Sequence, residues 1–425
     1  MSRAGGALRG ILLSAGLLGL ASSGAAQPLD QEIERLLGND CEQLGVMNGN
    51  PPGGPDVLGP NLDAICQASL PGNPVGSAAG GGAAPAPGSD AALARQRADE
   101  RLEQERGAGP ETDADDAPDF ARRFSVDSLG LWISGDAEDR NRDVTRFEDG
   151  YESTLSSATA GVDYAFSDLL FVGLGVEYQQ VDGDFDAGGD FDTESLGGVL
   201  YGSLSPLPGA YLDVVVGYAE RDYEVDRSVS FEERVDNQID GRELIDTSVS
   251  GIAAGDTDGD EVRAGAQLGY EHSWNGLGLA PRAGVDFVRT RIDDFAERGS
   301  TGLELAYDDR TRQSLQSSFG IDASLTASSP LGVIVPVASF EWVHEFQDDQ
   351  RSTKVRFVED LRADPLVFRF QNEKPDRDFF RLAGGATLVL PRGIQLFAVA
   401  RTLLGHDHFD GYGVSAGVRV PMRLR

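Results

Sequence analysis

The sequence predicts an all-β fold over residues 125–425, a 12-stranded antiparallel transmembrane β-barrel. Two observations support this prediction. From about Ser125 onward, apolar and polar residues alternate with a period of two, in segments of ten or more residues. The connections between these segments are alternately short and long, which is the rule for barrels that cross an outer membrane.

The alternation separates two chemically different faces. Leu170, Val172, Leu174, Val176 and Tyr178 form one face of a segment whose other positions are Gly, Glu and Gln. Such a pattern is typical of a strand with one face toward lipid and the other toward a polar lumen. The segments are predicted near 127–136, 152–166, 169–182, 192–205, 210–225, 259–274, 277–292, 312–326, 332–346, 377–391, 393–404 and 411–424.

The connections predict how the barrel is oriented. Asn275-Gly276 is a strong hairpin dipeptide and Pro206-Leu207-Pro208-Gly209 is another short turn, whereas 226–258 and 347–376 are long and acidic. We therefore expect both ends of the barrel on the periplasmic side and the long loops outside. Aromatic residues near strand ends are expected to form interface girdles. They are Trp132, Tyr164, Phe166, Tyr211, Trp274 and Trp342.

The first 70 residues predict an exported N-terminus. Residues 1–26 have basic residues, a short apolar run and small residues before Gln27, which indicates a cleaved signal peptide; as a membrane anchor the run is too short. Residues 27–70 are predicted to be a small helical segment. Its Cys41 and Cys66 are the two cysteines of the chain, and we expect them to form a disulfide in an oxidising periplasm, the alternative being two free thiols.

Residues 71–124 are predicted to connect this segment to the barrel. The Gly, Ala and Pro content of 71–88 indicates a flexible linker, and 89–124 is predicted to be a charged helix followed by a linker. The helix has too thin an apolar stripe to pack on a broad core, which makes it a candidate plug for a polar pore, with 112–124 as the alternative occupant. Its basic residues are Arg95, Arg97, Arg101 and Arg106.

The polar face of the barrel is predicted to line the pore and to pair with this helix. The candidate pore-lining residues are Glu177, Asp213, Arg263, Arg381, Arg419 and Arg423. No cofactor, metal site or enzyme activity is expected. The chain has four His residues, His406-Asp407-His408 has no fixed third ligand, and Asp256–Glu261 matches only part of a calcium loop. A net charge of −34 argues against nucleic acid as a partner.

Residues 128–424 resemble the autotransporter β-domain family of type V secretion. The resemblance is carried by an ordered series of short motifs, each degenerate alone. They are Gly130-Leu131-Trp132, Ala160-Gly161-Val162-Asp163-Tyr164, Val172–Tyr178, Ala266–Glu271, Pro281–Val285, Asp308–Leu315 and Glu341–Phe346. The resemblance implies a twelve-stranded barrel, a helix through its pore, and export of an N-terminal passenger. The chain departs from the family in its very short passenger and in ending at Met422-Arg423-Leu424-Arg425 instead of an aromatic residue.

Two functions remain open on these grounds. The first is a translocator that exports its own short N-terminal segment. The alternative is a stand-alone outer-membrane protein, either a plugged solute pore or a surface adhesin that acts through its acidic outer loops. Either one implies outer-membrane lipids, periplasmic chaperones and the barrel-assembly machinery as partners, and a monomeric barrel located in the cell outer membrane.

Overall fold

The computed structural model describes residues 62, 78–80, 128–145, 147–167, 169–234 and 246–423. The predictions for the signal peptide, the Cys41–Cys66 disulfide, the helical segment around it and the charged helix lie outside these residues. Among the described residues, no helix is long and apolar enough to span a bilayer.

Twelve long strands, joined in sequence order, form the barrel that the sequence predicts. Every neighbouring pair is antiparallel, and the last strand pairs with the first from Phe409↔Arg142 to Arg423↔Ser128, which closes the barrel. The strands are β1 Ser128–Arg142, β2 Tyr151–Ala165, β3 Leu170–Phe185, β4 Gly189–Leu207, β5 Ala210–Arg234, β6 Asp246–Tyr270, β7 Leu277–Ile292, β8 Arg310–Leu325, β9 Gly332–Glu345, β10 Asp378–Val389, β11 Gln395–Leu404 and β12 Phe409–Arg423.

One end of the barrel has short turns and holds both termini of the barrel; we call it the hairpin end. Asn275 and Gly276 both have positive φ there, at 51° and 79°, which is the backbone of a type I′ turn. This dipeptide joins the short strand His272–Trp274, which follows β6, to β7. The turn between β10 and β11 uses the 3-10 turn Pro391–Gly393 in the same way. The other end holds the long connections, and we call it the loop end.

The outer face of the barrel wall is mainly apolar, and the inner face carries most of its buried polar and charged side chains. Along β2, buried and exposed positions alternate from Tyr151 onward, and the buried ones include Ser157, Thr159 and Asp163. On the outside, Leu174 is 56% exposed, and similar exposure recurs around the wall. This inverted polarity is the arrangement of a β-barrel whose outer surface faces lipid.

Inward glycines make room for inward rings of the neighbouring strand. A Cβ on Gly269 would stand 2.2 Å from the ring of Tyr211, and one on Gly173 would stand 2.2 Å from the ring of Tyr201. The inward glycines therefore serve the packing of the wall itself.

Two predicted girdle residues point the other way. Trp132 and Tyr211 are buried inside the barrel, and Trp132 packs with Tyr201 and Phe171 in an apolar cluster on the inner wall. Each lies two positions from a polar residue that points inward, Ser134 or Asp213, and so points inward as well. The prediction was wrong because it relied only on closeness to a strand end. Phe166 and Trp274 are exposed on the outside, as a girdle requires.

The loop end contains more structure than its composition predicts. The segment predicted as the loop 226–258 is mostly strand, because β5 and β6 each run for 25 residues and pair with each other as far as Arg234↔Asp246. At about 3.3 Å per residue such strands are roughly 80 Å long, far more than a bilayer requires. They therefore project beyond the wall.

A second sheet covers the projecting strands. It has four short antiparallel strands, Phe295–Ala296, Leu305–Tyr307, Ser352–Phe357 and Phe368–Gln371. We call this sheet, together with the projecting ends of β5 and β6, the cap. Its apolar cluster joins Val229 of β5 and Ala253 of β6 to Leu303, Leu305, Tyr307, Val355, Phe357 and Phe368.

Candidate functional site: the barrel interior and its cap

The interior of the barrel is lined by arginines paired with carboxylates of the same wall. Arg263 of β6 donates from Nη2 to Glu177 Oε2 of β3 over 2.5 Å, across two intervening strands. Arg419 of β12 donates to Asp163 of β2 over 2.6 Å. Each pair joins two strands that are not neighbours in the sheet, so it stabilises the wall while placing charged groups on its inner surface.

The other predicted pore-lining residues also lie on the inner wall, where they can be described. Arg381 donates to Glu341 over 3.0 Å and to Gln316 over 2.7 Å, and Asp213 accepts from Ser203 Oγ over 2.6 Å. The side chain of Arg423 lies outside the described residues. The sequence interpretation gave these residues partners on the charged helix; the described partners belong to the wall. Their role in lining a channel stays a prediction.

Several interior groups escaped the sequence interpretation. Arg401 reaches Asp136 and Glu138 on β1 over 3.3 and 3.1 Å, and Arg282 reaches Asp322 and Glu341 over 3.0 and 3.1 Å. The signal that could have found them is the inward phase of each strand. The predicted first strand stopped at 136, whereas β1 continues to Arg142, so Glu138 was left out of the pattern.

The cap contains a buried ion pair of its own. Arg227 donates to Glu297 over 2.5 Å and to the Leu303 carbonyl over 2.9 Å, and Glu297 also accepts from the Tyr307 hydroxyl over 3.1 Å. Burial, together with the neighbouring Glu297 carboxylate, raises the pKa of Tyr307, so this hydroxyl stays protonated and keeps donating. The network connects β5 to the four-stranded sheet and so stabilises the attachment of that sheet to the barrel.

Carboxylates around the cap differ in their electrostatic surroundings. Burial raises the pKa of Asp149, in the β1–β2 connection, to about 7; the Arg227 charge opposes this rise, and Asp186 and Glu148 add to it. Hydrogen bonds from Arg377 and Lys374 instead lower the pKa of Asp348 to about 2. The pKa of Asp149 therefore lies near neutral pH, whereas that of Asp348 lies far below it.

The cap also holds residues from the N-terminal part of the chain. Leu62 is 0% exposed within the apolar cluster of the cap, and its backbone N–H donates to Glu359 Oε2 over 2.8 Å. Ala78–Gly80 forms a short strand that pairs antiparallel with residues 229–231 of β5. Both contacts lie at the loop end, whereas Ser128, where β1 begins, lies at the hairpin end.

The structure places the two candidate metal-binding patterns of the sequence in separate parts of the barrel. Asp256–Glu261, the partial calcium pattern, lies inside β6 and pairs with β5. His406 forms a hydrogen bond over 2.9 Å with Asp376. Among the described residues, no group of three or more His, Cys, Asp or Glu side chains could hold a metal ion.

Comparisons with known proteins agree with this architecture. The family model described as autotransporter β-domain matches residues 131–400. The translocator domain of the autotransporter NalP from Neisseria meningitidis is similar in fold, with 14% identity, a TM-score of 0.52, and coverage of 78% of this chain and 97% of that chain. The β-domain of the Bordetella autotransporter BrkA has 20% identity, a TM-score of 0.46, and coverage of 70% and 100%.

Among curated proteins, the chain is similar to an uncharacterised protein in the trpE–trpG intergenic region of Pseudomonas putida. The two are 26% identical over 106 residues, which is 24% of this chain and 17% of the relative. The chain thus spans less than a fifth of that relative's length.

Proposed function

The chain belongs to the autotransporter β-domain family, and we propose that its barrel is an outer-membrane translocator that exports a short N-terminal passenger on the same chain. The family is one of transporters and not of enzymes. The fold implies residence in the outer membrane. The outward apolar side chains of the wall support this, because a surface of exposed leucine, valine and aromatic residues suits lipid and not water.

The position of Leu62 carries the proposal. Leu62 and Ala78–Gly80 contact the cap at the loop end, and β1 starts at Ser128 at the hairpin end. Residues 81–127 therefore have to connect the two ends of the barrel. A polar peptide cannot cross through lipid, because its backbone N–H and C=O groups would lose their hydrogen bonds. We therefore propose that residues 81–127 pass through the lumen.

The hydrophilic interior supports the same route. Its paired arginines and carboxylates offer both charges to a segment rich in Arg, Asp and Glu, such as the charged helix predicted within 89–124. We propose that this segment occupies the lumen once residues 27–70 have crossed it. Insertion of the barrel as a monomer by periplasmic chaperones and the barrel-assembly machinery is part of the same proposal.

The location of residues 27–70 tests export. An epitope placed directly after Gln27 should be reached by antibody on intact cells, because the passenger would lie outside. One control carries the same epitope between Asn275 and Gly276, at the hairpin end, and should be labelled only after the outer membrane is opened. A second control carries it within 235–245, at the loop end. If the epitope within 235–245 is labelled on intact cells but the epitope after Gln27 is not, the passenger is not exported.

A further inference from the structure

We propose that the cap is a docking site for the chain's own N-terminal segment and that it retains the passenger on the cell surface through Leu62. This inference rests on the proposed export, because the cap lies at the loop end, outside the membrane. It goes further by assigning a binding function to the cap and by naming what it binds.

The pocket for Leu62 is assembled from distant parts of the chain. Its apolar cluster combines Val229 of β5 and Ala253 of β6 with Leu305, Phe357 and Phe368 of the four-stranded sheet. Leu62 is fully buried among them and is one of the largest fully buried side chains in the described part of the protein. Because the lining residues come from different strands, this pocket exists only when the barrel and its loops have folded together.

A polar contact sets the position of the segment in the pocket. The N–H of Leu62 donates to the carboxylate of Glu359, and Val358 beside it is held by its own N–H bond to the Glu304 carbonyl. A hydrogen bond to a charged acceptor is stronger and more directional than apolar contact alone. Glu359 therefore selects one backbone position of the segment, while the apolar cluster supplies attraction for the leucine side chain.

A second contact lies on the edge of β5. The pairing of β5 with β4 ends at Gly189↔Arg227, and beyond it Ala78–Gly80 pairs with residues 229–231. Addition of a strand to a free edge uses main-chain hydrogen bonds and tolerates small residues such as Ala and Gly. It also covers an edge that would otherwise invite pairing with other chains.

The two contacts act on one segment and strengthen each other. Once Leu62 is seated, Ala78–Gly80 is tethered close to the edge of β5, so its pairing becomes an intramolecular event at high effective concentration. Val229 takes part in both contacts, since its side chain joins the Leu62 cluster and its backbone pairs with Gly80. A passenger held in this way stays at the surface even when its covalent link to the barrel is cut.

Release after cutting tests the docking. A site for a sequence-specific protease is inserted between Ala84 and Pro85, and the protease is added to intact cells producing the full chain. The wild-type fragment should stay with the cells. Leu62→Asp should speed its release into the medium by about tenfold or more, because a buried leucine is replaced by a charge. Glu359→Gln should speed release less, by about two- to fivefold, since the amide oxygen can still accept from the Leu62 N–H, although more weakly than the carboxylate.

Leu361→Asp is the matched control. Leu361 is an exposed leucine in the same loop as Glu359, and it does not line the pocket. It should release the fragment at the wild-type rate. Equal release of the wild-type and Leu62→Asp fragments would overturn docking while leaving export intact. Cleavage that occurs only after the outer membrane is opened would overturn export, and docking with it.

Discussion

The barrel wall and the cap differ in the side chains that they mainly bury: the wall buries many charged and polar residues, and the cap is built around an apolar cluster. The wall exposes Leu174 and hides Arg263 and Glu177, whereas the cap hides Leu305 and Phe357 and exposes Leu361. Both units are antiparallel sheets of one chain, so the difference does not come from secondary structure. It comes from the solvent that each surface meets: lipid outside the wall, and water around the cap.

Two ion pairs allow a direct comparison of the interiors. Arg227–Glu297 in the cap and Arg263–Glu177 in the wall have the same N···O distance of 2.5 Å. Their side chains are 1% and 1% exposed in the cap, and 9% and 8% exposed in the wall. The cap pair lies beside an apolar cluster and is almost fully buried, whereas the wall pair is slightly more exposed.

The largest expected effect comes from breaking these pairs. Arg227→Gln should destabilise the cap by about 3–5 kcal/mol, because it leaves Glu297 charged in an apolar surrounding. Arg263→Gln should destabilise the barrel by about 1–3 kcal/mol, because Glu177 is less deeply buried than Glu297. The losses would be measured by urea-dependent proteolysis of the cap and by urea unfolding of the barrel in lipid vesicles, with Glu297→Gln and Glu177→Gln completing a cycle for each pair. Equal losses would show that the two interiors do not differ.

A second prediction compares two leucines of similar exposure. Leu174 is 56% exposed on the wall and Leu361 is 63% exposed on the cap. Leu174→Arg should destabilise the barrel in vesicles by about 2–4 kcal/mol, because it moves a charge into lipid. Leu361→Arg should change stability by less than about 0.5 kcal/mol, because its surroundings are water. Urea unfolding of both variants in the same vesicles is the measurement, and a harmless Leu174→Arg would contradict the lipid-facing wall.

The smallest expected effect depends on pH. Asp149 is 5% exposed, its pKa is raised to about 7, and among the described residues its carboxylate oxygens have no hydrogen-bond partner. Because its pKa is higher in the folded state than in the unfolded state, the protonated form favours folding. Stability should fall as the pH rises from about 4 to 7 and stay reduced above that.

Asp149→Asn removes this dependence. It should protect the loop end from proteolysis at pH 8 by about 1 kcal/mol, since the buried amide still costs part of what is gained. The protection should disappear at pH 4, where Asp149 itself is protonated. Asp348→Asn is the control with the opposite sign: the pKa of Asp348 is lowered to about 2 by its basic partners, so neutralising it should destabilise at pH 8. Protection by Asp149→Asn that is the same at both pH values would contradict the assignment.

The barrel was largely predictable from the sequence because lipid imposes a simple rule. Alternation located all twelve strands, and the Asn275-Gly276 turn was predicted where it occurs. Outside the membrane the rule no longer applies. Glu232, Glu233 and Arg234 read as loop by composition, although they lie in a strand that pairs with β6. Hydrogen bonding to a neighbouring strand, which no single segment reveals, overrides such local preference.

The partners of the interior residues were harder to predict than the residues themselves. The phase of alternation places Arg263 and Glu177 on the inside, but they lie 86 positions apart and meet only because the closed barrel brings β3 and β6 within reach. For Trp132 and Tyr211 the side of the wall itself was predicted wrongly. The alternation along their strands indicated an inward position, but their closeness to strand ends was given more weight.

By itself, the sequence determined the all-β class, the number of strands, their inward and outward faces and the family to which the barrel belongs. These are local properties, written in periodicity and in turn residues. The cap, the pairing of interior charges and the seat of Leu62 were decided by the tertiary structure. They depend on contacts between residues far apart in the chain, such as Leu62 and Glu359, and no local pattern encodes which distant residue will be near.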